Sequence, residues 1–258
     1  METVKQIRQK IRTGVWDKPT TGQASGYTQA NLVILPKKYA YDFLLFCMRN
    51  PKTCPLIEVT DVGFPVPNKT APTSDLRTDL PKYRIYKSGE LMEEVTDITD
   101  YWQDDFVSFL IGCSFTFEKP LLENDIPIRY IEEGRNVSMY KTNISCEPAG
   151  IFKGPTVVSM RPMKPGEAIR AVQITSRFPS VHGAPIHIGD PSKIGIHDVN
   201  HPDFGDPVTI YEDEVPVFWG CGVTPQAAVM ASKPDLVITH SPGHMFITDV
   251  KEEEHAVF

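Results

Sequence analysis

Residues 215–244 read VPVFWGCGVTPQAAVMASKPDLVITHSPGH, and the fold turns on how that stretch is parsed. An apolar run at 215–219 leads into the turn Gly220-Cys221-Gly222. Thr224 and Pro225 supply a helix start, a capping hydroxyl followed by a first-turn proline, for the helical string QAAVMAS. A second apolar run, LVITH at 236–240, leads into Ser241-Pro242-Gly243-His244. Strand, loop, helix and strand in that order have the βαβ rhythm of an α/β sheet. Upstream, Pro185-Ile186-His187-Ile188 leads in the same way into Gly189-Asp190-Pro191. In open α/β sheets ligands bind where loops leave the carboxyl ends of strands. That rule places Asp190, Cys221, His240 and His244 near one rim.

Outward from this core the pattern stays mixed. Val4, Ile7 and Ile11 recur at helical spacing over 3–12, ending at Gly14. A second helix starts near Pro36 and runs to Asn50, with Pro51 just past its end. PLIEV is a short strand, and YRIYKSGELMEEV reads as a hairpin about Ser88-Gly89. A third helix is expected from Asp104 to Ile111, stopping at Gly112, with Ser114 capping a further helix through Glu118 and Leu121. Residues 128–145 and 156–160 are strand-like, and a helix follows from Pro165 to Phe178. The stretch 130–189 therefore reads as a smaller α+β unit, with 1–129 and 190–258 as the main α/β unit.

Composition sets the outer bounds. A chain of 258 residues can bury a substantial core. Hydrophobic residues are 41% and charged residues 23%, a balance that argues against disorder. A net charge of −7 gives no basis for a nucleic-acid or anionic-membrane partner. No apolar run reaches the length of a membrane span, and METVKQIRQKIRTG has no apolar centre of the secretory kind. The cysteines (Cys47, Cys54, Cys113, Cys146, Cys221) are odd in number, widely spaced and free of any C-x-x-C pair, which fits a reducing cytoplasm. The sequons at Asn68, Asn136 and Asn143 then read as chance matches.

All seven histidines lie beyond residue 180: His182, His187, His197, His201, His240, His244 and His255. Imidazole suits proton transfer near neutral pH, while a structural place in a polar loop network is the alternative for each. His240 and His244 are separated by Pro242-Gly243 and lack the intervening Glu of a helical zinc site. A mixed His and carboxylate site for a divalent cation, drawing on Asp190, Asp198, Asp203 or Asp206, stays open. Cys221 sits where a helix N-terminus would lower a thiol pKa; the alternative is a small filler between glycines that bring backbone close to a ligand. Cys113 and Ser114 offer amides at another helix start. Arg77, Arg161 and Arg177 could each grip a carboxylate with two hydrogen bonds. TTGQASG lacks the lysine of a phosphate loop.

With these residues in view the chain resembles the hydro-lyase family related to D-glutamate cyclase. The resemblance rests on TGQASGYTQANLVILP, CPLIEVTDVG, RTDLPKYRIY, DFVSFLIGCSFTFE, PAGIFKGPTVVSMRP, SRFPSVHGAPIHIGDP, VPVFWGCGVTPQAA and THSPGHMFITD, and covers about residues 10–250. It implies a three-layer α/β sandwich with a smaller α+β domain, and a carbon–oxygen lyase. The activity it implies interconverts D-glutamate and 5-oxo-D-proline with loss of water, so the expected partner is a small amino or hydroxy acid. A homo-oligomer is compatible with it. The expected catalytic set is His182, His187, Asp190, His240 and His244, with Cys113, Ser114, Arg161, Arg177 and Gly220 to Gly222 binding substrate. Alanine at His187 or His244 is then expected to slow turnover at least about a hundredfold. A carboxylate-binding protein without catalysis and a metal-dependent amide hydrolase are the competing classes.

Overall fold

The computed structural model describes residues 2–257. In chain order the elements are α1 (Val4–Arg12), β1 (Tyr27–Pro36), α2 (Lys37–Arg49), β2 (Leu56–Val59), β3 (Tyr83–Lys87), β4 (Glu90–Val95) and β5 (Phe106–Gly112). There follow α3 (Glu118–Leu122), α4 (Arg129–Glu132), β6 (Ser138–Ser145), β7 (Pro155–Met163), α5 (Pro165–Thr175) and β8 (His187–Ile188). The chain closes with β9 (Val215–Gly220), α6 (Val223–Ser232), β10 (Leu236–His240) and β11 (Phe246–Lys251).

Two sheets result. The larger has seven strands in the order β2-β5-β1-β10-β3-β4, with β11 also on β1; the smaller has the order β6-β7-β9-β8. Strand β1 is the spine of the first sheet. Its side chains alternate between two cores: Leu32 and Ile34 pack with Ile238, Phe106 and Leu80 on one face. Val33 and Leu35 pack with Phe43, Phe46 and Phe152 on the other. A strand covered on both sides reads as one continuous apolar run without alternation, which is why YTQANLVILP gives no clear period. The β3–β4 hairpin turns on Ser88 and Gly89 at φ 52° and 84°, the backbone of a two-residue type I′ turn. At the β11 end, α1 is fixed by a capping box between Thr3 and Gln6 and buries Val4, Ile7 and Ile11 against Ile247.

The mixed α/β character expected from sequence holds, but the pairing differs. Every sheet pairing among the described residues is antiparallel. The strand–helix–strand at 215–240 is present, yet β9 lies in the smaller sheet and β10 in the larger, so α6 crosses between sheets. Val223 through Val229 are all buried, with Val223 and Ala227 in one core and Ala228 and Val229 in another. A helix apolar all round belongs between layers. The smaller sheet draws on 138–220, so β9 joins it although 190–258 was assigned to the main unit. The helix expected at 104–111 is strand β5. FVSFLIG satisfies helical and buried-strand patterns alike, and pairing with β1 and β2 decides for the strand.

Candidate active site

The two sheets approach each other where β1 lacks backbone partners. Val33 pairs with Thr239 of β10 and Ala30 with Phe246 of β11. Between them residues 241–245 bulge away, leaving Asn31 and Leu32 opposite a loop. Buried backbone N–H groups must find acceptors, and here a side chain substitutes for the ladder. The Leu32 N–H donates to His240 Nδ1 at 3.1 Å, and the Gln226 amide approaches the same nitrogen at 3.3 Å. The Leu32 carbonyl also lies 3.3 Å from Nδ1, but the shorter Leu32 N–H contact and the Gln226 amide favour the tautomer with the ring proton on Nε2. His240 is 1% exposed, and burial pushes its pKa down to about 4. The ring is thus a neutral imidazole with one N–H to give.

His240 lines a narrow cavity of about 20 Å³ with Asn31, Cys113, Ser114, Asn136 and Cys221. Its walls come from β1, the end of β5, the 136–139 segment, the β9–α6 turn and the 241–245 bulge. Glycine makes the closure tight. A Cβ on Gly222 would fall 1.8 Å from the Asn31 amide, and one on Gly112 would fall 2.7 Å from the Ser180 carbonyl. Asn31 Nδ2 donates to the Gly112 carbonyl at 2.8 Å, tying β1 to the turn that carries Cys113 and Ser114.

Behind Ser114 stands a buried charge. Arg161 is 1% exposed. It donates to Glu118 through Nε at 3.1 Å, to Ser159 Oγ at 3.1 Å and to Ser114 Oγ at 3.1 Å. The rings of Phe117, Tyr130 and Trp219 surround its guanidinium at 5.4–5.9 Å. Arg161 therefore reaches the cavity only through Ser114. That hydroxyl accepts from Arg161 and keeps its own proton free to donate.

Of the residues singled out from sequence, Cys113, Ser114, Cys221, Gly222 and His240 surround the cavity. The others lie elsewhere. Gly220 packs on the Lys52 carbonyl, 2.6 Å from where its Cβ would be. His182, fully buried at φ 83°, lies with Nε2 2.9 Å from the Gly112 carbonyl and Nδ1 3.1 Å from that of Lys52. Burial holds the ring neutral with its pKa near 4, against the pull of the two carbonyls, so it donates its one N–H to one of them and packs against the other. His187 sits on edge strand β8, 2.7 Å from the Asp190 carbonyl. The Asp190 carboxylate caps the turn at 191–194 by accepting from Ser192 at 3.0 Å. The expected His187–Asp190 proton pair is therefore a local loop cap. His244 is not part of the cavity lining; its Nδ1 lies 2.9 Å from the Pro242 carbonyl, with Lys82, Glu94 and Arg84 as charged neighbours, and Arg177 lines a different cavity. Burial pushes the Cys221 thiol up to about 11 and that of Cys113 higher still, so the helix start at α6 does not yield a thiolate.

Among the described residues no three His, Cys, Asp or Glu side chains cluster to hold a metal ion. The cysteines are all free and buried. No described helix is long and apolar enough to cross a membrane. Asn31 and Gln226 escaped the sequence reading because an isolated amide carries no spacing signal, and Asn136 entered it only as a sequon; the interruption of β1 gives Asn31 and Gln226 their place.

The buried rings predict an acid sensitivity. In the fold His182 and His240 stay neutral down to about pH 4, against an ordinary 6.5. Between those values the unfolded chain binds more protons, so stability falls as pH drops from about 6.5 to 4. The loss is about 3 kcal/mol per ring. Denaturant unfolding of His182→Asn, a residue that tolerates the left-handed backbone, should show a shallower decline than the native chain across that window. Parallel curves would mean the ring is charged in the fold.

Two sheets meet at a cavity lined by a neutral imidazole, amides, thiols and a charge-backed hydroxyl, a lining of the kind small-molecule enzymes use. The family model described as D-glutamate cyclase matches residues 107–249, and the chain belongs to that family. It is 68% identical over 96% of its length, and 94% of the relative's, to a protein of Thermoanaerobacter sp.. It is 64% identical to one of Geobacillus kaustophilus (98% and 96% covered) and 62% identical to YcsI of Bacillus subtilis (98% of each). All three bear the name "Putative hydro-lyase".

Proposed function

We propose that the chain is a hydro-lyase of the carbon–oxygen class acting on a small amino or hydroxy acid, with D-glutamate and 5-oxo-D-proline plus water as the substrate pair. The observation that carries this reading is the neutral, buried His240 lining the cavity at a gap in the sheet, with Nδ1 engaged by the Leu32 backbone. In the cyclisation the amine nitrogen bonds to the side-chain carboxyl carbon, an oxyanion forms, and the C–O bond then breaks to release water. The two protons that leave the ammonium are the two that the departing oxygen needs, so the reaction balances within the substrate. Its demands on the protein are orientation and donors aimed at the oxyanion. The cavity answers that demand: His240 is neutral above about pH 4 and Cys221 is protonated below about 11.

In this reading the His240 Nε2–H donates to the developing oxyanion. The Ser114 hydroxyl, with Arg161 behind it, anchors the α-carboxylate. Asn136 carries an amide whose oxygen accepts from Val137 at 2.9 Å, and its NH2 orients the substrate. A cavity of about 20 Å³ holds a water molecule, so substrate entry requires the 241–245 bulge to withdraw; Gly243, at φ 79°, supplies a joint.

A larger cavity holds Arg177. The smaller one is preferred because most of its lining, Asn31, Cys113, Ser114, Cys221, Gly222 and His240 included, falls within strings that carry the family resemblance, against only Gly26, Tyr27, Arg177 and Phe178 of the larger. The test is incubation of the purified chain with each compound, followed by chiral chromatography. Interconversion is expected. A rise in melting temperature without turnover would turn the reading toward a carboxylate-binding protein.

A further inference from the structure

We propose that the larger cavity is a second site, separate from the catalytic one, that binds a free α-amino acid with an apolar side chain. It has a volume of about 510 Å³ and is walled by α3 (Lys119, Pro120), the end of α5 (Ile174, Arg177) and the 252–256 turn (Glu252, Ala256). Glu252 is 9% exposed, and its Oε2 is sealed from water with no hydrogen-bond partner among the described residues. A buried carboxyl left so is costly unless it keeps its proton or meets a cation. Burial accordingly raises its pKa to about 8.

The other charges around it are largely matched. Lys119 faces Glu123 at 3.8 Å and also acts on Glu252 as the nearby cation, without a hydrogen bond to it, and Lys251 faces Glu253 at 3.6 Å. Arg177 has no carboxylate partner among the described residues. A guanidinium open to a carboxylate, a wall carboxyl that can turn to meet an ammonium, and Pro120, Ile174 and Ala256 between them match the three parts of an apolar amino acid. On binding, the ammonium takes the position beside Glu252, and the carboxyl gives up its proton to solvent.

The two cavities share no lining residue, but neighbouring segments of the chain link them. Residues 113–115 line the latter and 119–124 the former. Ser180 Oγ also lies 2.9 Å from His255 Nδ1, tying the 252–255 turn to the segment packed on Gly112. A ligand here can thus act on the position of Ser114.

Leucine, which has no side-chain carboxyl and cannot cyclise, is the probe. Titration calorimetry of the full chain at pH 7, in two buffers of different ionisation heat, should show binding with release of nearly one proton per leucine. Glu252→Gln should abolish the proton release and weaken binding at least about tenfold, and the exposed Arg177→Ser should weaken it comparably. Both variants should keep turnover of D-glutamate. The proposal is overturned if leucine does not bind the native chain, or if it binds both variants as tightly. It is also overturned if folded Glu252→Gln loses turnover, which would move the chemistry into this cavity.

Discussion

Replacing His240 with alanine lowers turnover at least about a hundredfold, the usual cost of losing one donor aimed at an oxyanion. The reason lies in where the ring is held. Its Nδ1 is occupied by the Leu32 N–H at 3.1 Å, so protonation there would set two hydrogens against each other. Only the Nε2 proton is free, and it contributes most when charge develops in the transition state. The fall should therefore appear in kcat more than in KM. His240→Ala also orphans the Leu32 N–H, so the variant's stability is measured alongside. A His240→Gln variant, whose side-chain oxygen can accept from that N–H while its amide donates, should recover part of the rate. His187→Ala and His244→Ala are the controls. Neither ring lines the cavity, so each should change kcat by less than about fivefold, well below a general acid–base contribution. This reverses the expectation drawn from sequence. Near-native kcat in His240→Ala would remove the imidazole from the mechanism and leave the cavity as a binding site only.

Cutting the charge behind Ser114 should be the most damaging change to stability. Arg161→Met is expected to cost about 3–5 kcal/mol, because removal of one partner leaves the other charge buried and uncompensated. The Glu118 side chain is only 7% exposed, and the Tyr130 hydroxyl at 2.6 Å is then its remaining neighbour among the groups it bonds. Substituting both partners, Arg161→Met with Glu118→Leu, should recover most of the loss, since buried pairs exchanged for apolar groups are often neutral. Function should separate from stability in the double variant. Without the guanidinium, Ser114 loses the donor that fixes its hydroxyl, and KM for D-glutamate should rise about tenfold. Urea unfolding of the single and double variants, with steady-state kinetics on the double, reads both effects. A single variant within about 1 kcal/mol of the native chain would place the pair outside the interior energetics argued here.

The sequence by itself determined the helices that carry their own signals: α1 with its cap and 3–4 spacing, α2 and α5 with prolines at their starts, and the 88–89 turn. It also marked the strings around Cys113 and Cys221, because a glycine beside a polar residue at the end of an apolar run signals close backbone approach whatever the partner. Tertiary structure alone decided the rest. Buried strands such as β1 and β5 have no amphipathic period, since both faces are covered, so 104–111 reads equally well as a helix. Sheet membership is set by pairing between segments far apart in the chain, and no local pattern around β9 and β10 reports that they join different sheets. The same limit governs the histidines. Residue type and loop context made His182, His187, His240 and His244 candidates alike. Only the bulge at 241–245, which robs Leu32 of a backbone partner and presses His240 into its place, distinguishes a ring facing a cavity from rings that cap loops or staple carbonyls.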